Sequence, residues 1–299
     1  MVEGALTQRT DVSATRRRWD WIGVCAADPK VAVGGGFILC LCLVALAAPL
    51  IAPHDPLEQD IMLGLTPPPG FAGAEPGHWL GTDDLGRDVL SRVLYGSRVA
   101  LTVAFAASAL AAVIGSTLGL AAGWRRGWVD AAISRLVEIW MAFPPVLLSI
   151  LLVAVVGPGV GSVIAAIAII DWTRFCRVVR AETMNQASAD YVTAARAVGF
   201  APGRILMREI FPNVAPVLIA LISLEMGIAV IVEAILSFVG LSVSSDTPTW
   251  GGMIAEGRQA LHEGWWILAA PLTLLLLTVL AFNLLGEGLR RALDPVMRR

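Results

Sequence analysis

Apolar runs of about 20 residues recur along this 299-residue chain, and they constrain its fold more than any other feature. Three of them, at 31–51, 99–122 and 267–285, contain no Asp, Glu, Lys or Arg. A helix of that length can cross a bilayer. Charged residues make up only 15% of the chain, against about 25% in soluble domains. The sequence therefore predicts an all-α polytopic membrane protein.

Three weaker apolar segments bring the predicted number of transmembrane helices to six. They lie at 136–156, 160–179 and 214–239, and each contains charged residues or a proline. Six helices place both ends of the chain on the same side of the membrane. The predicted organisation is an N-terminal tail at 1–30, a transmembrane domain at 31–289 and a C-terminal tail at 290–299.

The distribution of Lys and Arg predicts which side that is. Eighteen of the 22 lie in the two tails and in the connections that six helices place on the same side as the tails. Because basic residues are retained on the cytoplasmic side, both termini are predicted to be cytoplasmic. The four remaining basic residues lie in the predicted external segments 54–98 and 240–265; they are Arg87, Arg92, Arg98 and Arg258.

A polar segment at 189–213 interrupts the apolar pattern on the predicted cytoplasmic side. Apolar residues spaced for one face of a helix begin at Tyr191, Asp190 is expected to cap that helix and Gly199 to end it. Prolines at Ala201–Pro202 and Phe211–Pro212 predict turns beyond it. A helix this short needs a partner surface. Two interpretations remain, a helix that docks into a groove of another protein and a helix that lies on lipid headgroups.

Small residues at Gly115, Gly119 and Gly123 recur every fourth position of the second predicted transmembrane helix. This spacing lets helices approach closely in lipid. It fits packing within the chain and packing against another subunit equally well.

The segment "YVTAARAVGFAPGRILMREIFPN" resembles the EAA loop of ABC importer permeases. Ala194, Ala195, Gly199 and Pro212 match the family pattern in spacing, and Thr193 stands where the family often has Glu. In addition, "HWLGTDDLGRDVLSRVLYGSR", "VEAILSFVGLSVSSDTPTWGGMIAEGRQAL" and "LTVLAFNLLGEGLRRALDP" resemble the C-type permease subunit of dipeptide and oligopeptide importers. The resemblance extends from about residue 30 to residue 296.

The resemblance implies a type I ABC importer permease fold and a bacterial inner-membrane location. It implies partners as well: a second homologous permease subunit, one or two ABC ATPase subunits that use ATP and Mg²⁺, an extracytoplasmic substrate-binding protein and membrane lipid. It assigns coupling to the ATPase to Asp190, Tyr191, Thr193, Ala194, Ala195, Arg196 and Gly199. It places Thr82, Asp83, Asp84, Arg87 and Asp88 in the loop on the binding-protein side.

The chain is not expected to catalyse a reaction or to bind a cofactor. Its single lysine, Lys30, follows Pro29, which excludes a nucleotide-binding P-loop. The three histidines, His54, His78 and His262, are far apart in sequence, so no metal site is predicted. A net charge of −2 gives no indication of nucleic-acid binding.

Segment 54–98 and two intramembrane acids each leave alternatives open. An apolar stripe that starts at Val89 predicts an amphipathic helix on the outer membrane surface. The acidic and basic residues just before it either dock a binding protein or merely cap and position that helix.

Glu225 and Glu233 are candidates for the translocation path, because buried charges in membranes are costly and often functional. The alternative for Glu225 is a hydrogen-bonded carboxyl at a subunit interface.

Other functions remain open at this stage. Nickel-chelate and glutathione importers share this subunit type. A secondary transporter driven by an ion gradient would need polar relays near mid-membrane, which Asp171, Glu225 and Glu233 leave open. A membrane scaffold without transport activity is the third alternative.

Overall fold

The computed structural model describes residues 28–242 and 247–293 and is helical throughout its regular elements. The N-terminal tail up to residue 27 and the last six residues of the C-terminal tail lie outside the described residues. Ten α-helices are numbered here in chain order: α1 Pro29–Ile51, α2 Val89–Arg125, α3 Gly127–Met141, α4 Pro145–Val156, α5 Val160–Ala187, α6 Asp190–Ala197, α7 Pro202–Ile205, α8 Phe211–Phe238, α9 Trp250–Gln259 and α10 Trp265–Leu293.

Four helical segments are long and apolar enough to cross a membrane. They are α1, α2, the run from α7 through α8, and α10. A fifth is formed by α3 and α4 if the two are taken as one span, although they meet at an angle of 85°. The break follows Met141 and precedes Pro145, where proline removes a backbone donor. Helix α5 is long enough, but its charges near Asp171 keep it out of this group, so the number six stays a prediction.

Helix α2 is the centre of the structure and packs most closely against α5. A methyl group added at Gly115 would lie 2.3 Å from the carbonyl oxygen of Trp172, and one at Gly119 would lie 2.7 Å from that of Cys176. At Gly123 the nearest atom is Cβ of Thr183, at 2.7 Å. Of the two alternatives, packing within the chain and packing against another subunit, the stripe of small residues therefore shows the first.

Two sequence predictions about helix boundaries are wrong. Val89 does not begin a separate surface helix, because α2 runs without a break from Val89 to Arg125, and Val89 and Val93 are buried against Met253 and Trp266. Nor does Phe211–Pro212 form a turn. A π-helical turn at Leu206–Ile210 joins α7 to α8 without a break, and Pro212 lies inside this continuous helical run.

The outer surfaces of several helices are apolar. On α1, Leu39, Leu43, Leu46 and Leu50 share one face and are exposed, while the opposite stripe packs against α10. A soluble helix would carry polar residues on such a face. The exposed leucines fit a helix that faces lipid or another membrane subunit.

Candidate functional site

The short helix α6 lies at the end of the molecule where α2 ends and α8 begins. Its inward residue is Val192, which is fully buried in an apolar cluster with Leu120 of α2, Val179 of α5 and Ile210. Arg196 lies with its guanidinium 5.0 Å from the centre of the Trp124 ring, within the range of a cation–π contact. These contacts attach an eight-residue helix that would not be stable alone in water.

Most other residues of α6 and the residue after it are exposed. Tyr191, Ala194 and Val198 form an exposed stripe, and 74% of the Val198 side chain is exposed. Asp190 and Thr193 are also exposed, and Ala195 is partly covered. Three of the four residues of the predicted apolar face are therefore exposed, whereas Ala195 packs against the cluster around Val192.

The two ends of α6 differ from each other. Ala189 is the N-cap and Asp190 is the first helical residue, so the prediction that the Asp190 side chain caps the helix is wrong. At the other end, the amides of Gly199 and Phe200 donate to the carbonyls of Arg196 and Ala195, at 2.9 and 3.1 Å. This is a Schellman motif. Gly199 has a φ of +85°, a conformation that favours glycine.

Tyr191 connects α6 to its neighbours through polar contacts. Its hydroxyl donates to Oε1 of Gln186 at 2.7 Å and accepts from Nδ2 of Asn213 at 3.4 Å. Burial raises the pKa of the Tyr191 phenol. The hydroxyl therefore remains a neutral donor at physiological pH, and the exposed stripe to which Tyr191 belongs carries no phenolate charge.

The opposite end of α2 carries a buried ionic cluster. Asp83 is fully buried and accepts from Nε of Arg87 at 2.7 Å and from Nη1 of Arg92. Both arginines also donate to Glu256 of α9, Arg87 at 3.2 Å and Arg92 at 2.6 Å. Buried charges are tolerated when they are paired and hydrogen-bonded in this way. The cluster joins the 54–88 loop, α2 and α9.

Other loop residues predicted for the binding-protein side also have internal partners. The carbonyl of Thr82 accepts from Nε1 of Trp266 at 2.9 Å, and Asp88 caps α2 by accepting from the amide of Ser91 at 2.8 Å. Only Asp84 of the five predicted residues is exposed. The described contacts of the other four hold the loop in place.

The two candidate path residues have different surroundings. The Glu225 carboxylate of α8 accepts from Nη1 of Arg174 on α5 at 3.3 Å. Glu233 is 1% exposed, and its Oε1 accepts from the hydroxyls of Ser237 at 2.6 Å and Ser242 at 3.2 Å. Glu225 thus joins two helices, and Glu233 ties the end of α8 to the loop after it.

Sequence reasoning did not foresee the partners in these clusters. Arg92 and Glu256 are 164 residues apart, and Arg174 and Glu225 are 51 apart. The one available signal was that a charged residue inside an apolar segment needs a partner. That signal shows that a partner exists, but it does not identify it.

Two family models match the chain. Residues 115–299 match the binding-protein-dependent transport system inner membrane component, and residues 29–68 match the N-terminal transmembrane domain of oligopeptide transport permease C. A chain of the MetNI methionine ABC transporter has the same fold, with a TM-score of 0.56 at 21% identity, over 68% of this chain and 96% of that one.

Curated relatives are similar over most of their length. The di/tripeptide transport system permease protein DppC of Pseudomonas aeruginosa is 40% identical over 91% of this chain and 90% of its own. The dipeptide transport system permease protein DppC of Escherichia coli K12 is 43% identical over 89% of each chain. The glutathione transport system permease protein GsiD of Salmonella paratyphi A is 40% identical over 89% of this chain and 86% of its own. The chain therefore belongs to the family of binding-protein-dependent transport system inner membrane components, and it is a multi-pass permease subunit of an ABC importer.

Proposed function

We propose that this permease subunit imports dipeptides and oligopeptides and is driven by separate ATPase subunits. The observation that carries the proposal is the geometry of α6, a short helix anchored by Val192 that presents an exposed apolar stripe around Val198. A stripe of this kind fits a groove in another protein. The substrate class is supported by the relatives named as dipeptide and di/tripeptide permeases.

In this proposal α6 lies on the cytoplasmic side, together with both termini, and the ATPases bind ATP and Mg²⁺. This chain is proposed to bind neither of these two. A second homologous permease subunit forms the other half of the translocation path. ATP binding favours one arrangement of the two permeases over the other, and the exposed stripe of α6 transmits that preference to the membrane helices.

Glu225 is the proposed contact for substrate in the path. A carboxylate can attract the ammonium group of a peptide, and Arg174 beside it can attract the terminal carboxylate. Glu233 is a weaker candidate, because both of its described hydrogen bonds stay within its own helix and the following loop.

The loop at 54–88 is proposed to face the external binding protein. Thr82, Asp83, Arg87 and Asp88 keep its shape, while the exposed Asp84 is available for contact. This divides the predicted loop residues into one contact residue and four that position it.

Glutathione is a second candidate substrate. The permease named for glutathione in Salmonella paratyphi A is about as similar to this chain as the peptide permeases are. Since glutathione is itself a tripeptide, one pathway could accept both. Purifying the complex from its native membrane and identifying the ligand held by its binding protein would decide between them.

A pair of substitutions tests the role of α6. Val198→Glu places a charge on the exposed apolar stripe, and Ala197→Glu places the same charge on an exposed position outside the stripe. In proteoliposomes that hold the complete importer, we expect Val198→Glu to lower ATP-dependent peptide uptake at least about tenfold, because burying one unpaired charge costs several kcal/mol. Ala197→Glu is expected to keep most of the uptake. Equal uptake in the two variants, with equal recovery of the ATPase subunits, would contradict the proposal.

A further inference from the structure

Two histidines and an aspartate that are distant in sequence meet beside the ionic cluster. His54 follows α1, His78 lies in the loop, and Asp88 caps α2. One ligand atom from each lies within 4.8 Å of the other two. The imidazole rings of the histidines are stacked, with their centres 4.4 Å apart and their planes 18° apart.

The distances between these donor atoms suit a metal ion. Nδ1 of His78 is 2.9 Å from Oδ1 of Asp88, and Nδ1 of His54 is 3.8 Å from the same oxygen. Ligand atoms about 2.0–2.2 Å from a tetrahedral Zn²⁺ lie about 3.3–3.5 Å from one another. On metal binding, the distance between His78 and Asp88 must therefore lengthen and the distance between His54 and Asp88 must shorten, each by a few tenths of an ångström.

The histidine that must move is free to do so. Nδ1 of His54 is buried and has no hydrogen-bond partner among the described residues, while 35% of the His54 side chain is exposed. Because the planes of the two stacked rings are nearly parallel, the His54 ring must rotate before the lone pairs of both Nδ1 atoms can point at one ion.

The surroundings hold the carboxylate in place. Ser91 donates to Oδ2 of Asp88 through its amide at 2.8 Å and its hydroxyl at 2.7 Å, which leaves Oδ1 facing the histidines. The same Ser91 hydroxyl accepts from the backbone amide of His54 at 3.1 Å. Contacts of this kind orient ligands in known metal sites. A cleft of about 610 Å³ borders His54, the most exposed of the three residues.

We propose that His54, His78 and Asp88 form a binding site for a divalent transition-metal ion of the Zn²⁺ type. Two imidazoles and one carboxylate suit Zn²⁺ and Co²⁺ better than the oxygen-preferring Mg²⁺ and Ca²⁺. The ion takes the place of the hydrogen bond between His78 and Asp88, and any proton on Nδ1 of His78 moves to Nε2. Bound metal would fasten the end of α1 to the loop and to the start of α2. The site does not depend on what the importer carries.

Binding of Zn²⁺ to the full-length chain in detergent, purified without an oligohistidine tag, tests the site. His54→Ala removes one ligand and keeps the hydrogen bond between His78 and Asp88. His262→Ala is the matched control, because His262 is exposed and lies in a different loop. The cysteines are unchanged in all three proteins, so any binding by thiols is common to them.

We expect the parent and His262→Ala to bind one more Zn²⁺ per chain than His54→Ala. The variant should bind at least about tenfold more weakly at this site, as is typical when the coordination of a metal is disturbed. Co²⁺ should give the visible absorption of a four-coordinate ion in the parent and the control, and lose it in His54→Ala. Equal Zn²⁺ binding by the parent and His54→Ala would overturn the proposal, as would an absence of binding in all three proteins.

Discussion

At the residue scale, single glycines determine how closely the central helices approach. Gly119 lies where α2 crosses α5, and a methyl group there would lie 2.7 Å from the carbonyl oxygen of Cys176 and 3.0 Å from the amide nitrogen of Arg180. Both atoms are backbone atoms, so relief requires the helices to move apart. Gly36 on α1 is the opposite case, because a methyl group there meets nothing within 4 Å.

We therefore expect Gly119→Ala to lower stability and Gly36→Ala not to lower it. Overpacking at Gly119 should cost about 1–3 kcal/mol, whereas Gly36→Ala should be neutral or gain up to about 1 kcal/mol from helix propensity. The measurement is the temperature at which half of the detergent-solubilised chain is lost from the monodisperse peak in size-exclusion chromatography. A Gly119→Ala chain as heat-resistant as the parent would show that the contact between α2 and α5 is looser than described.

The spacing of these glycines predicts a close helix contact, but it does not identify the helix against which they pack. The pattern at Gly115, Gly119 and Gly123 is local, whereas Trp172, Cys176 and Thr183 lie more than fifty residues further along the chain. Small residues favour close contact with any helix. The choice of α5 depends on the packing of the whole bundle.

At the element scale, one ion pair joins α5 to α8 in the middle of the membrane domain. Glu225 is 3% exposed, and its partner Arg174 is partly exposed. The pair therefore has a carboxylate inside the bundle and a guanidinium at its edge. A peptide with free ends carries the same two charges and would compete for both groups.

Glu225→Gln should lower peptide uptake by the complete importer at least about tenfold, because it removes the carboxylate that pairs with Arg174 and that is proposed to attract the ammonium group of the substrate. Glu225→Asp keeps the charge and should retain more uptake than the glutamine variant. Uptake is measured with the amount of assembled complex determined for each protein. Unchanged uptake by Glu225→Gln in intact complexes would remove this residue from the path.

The short helix α6 illustrates what periodicity can and cannot reveal. The spacing of apolar residues predicted the exposed stripe, and the glycine signal at Gly199 correctly marked the end of the helix. The contact that stabilises α6 is instead made by Val192, which is not part of the apolar face predicted from the spacing of residues. That contact depends on Ile210 and the turn before α8, a tertiary arrangement that local spacing does not encode.

At the scale of the whole molecule, the two ends of the helix bundle carry different features. The ionic cluster around Asp83 lies where α2 begins, and α6 packs where α2 ends. Of the described basic residues, Arg125, Arg126, Arg196, Arg204 and Arg208 lie in α6 or in the helices and helix ends next to it. The positive-inside rule therefore predicts that α6 is cytoplasmic and that the ionic cluster is external.

Labelling with a membrane-impermeant maleimide tests this orientation. In a chain whose four native cysteines are replaced by serine, Glu75→Cys should react in intact cells and Thr193→Cys only after the membrane is opened. Both positions are exposed, so access to the reagent differs only through the membrane. Labelling of Thr193→Cys in intact cells would reverse the proposed orientation.

Most of the architecture could be predicted from hydropathy, because the length of an apolar run and the position of a charge are local properties. The first, second and last apolar runs lie within α1, α2 and α10. For the 54–98 segment, local sequence properties do not determine whether the helix that begins at Val89 is buried. Its apolar stripe at Val89 suits a surface helix and a buried helix start equally, and only the burial of Val89 against α9 and α10 decides between them.

Helix α2 has a mechanical consequence for the importer. It is 37 residues long and contains no proline, whereas α1, α8 and α10 each contain a proline inside the helix. At 1.5 Å per residue it is about 55 Å long, enough to reach from one membrane surface to the other. We therefore expect α2 to move largely as one piece, so that a displacement near Trp124, which contacts α6, also displaces the end at Asp88 beside the ionic cluster.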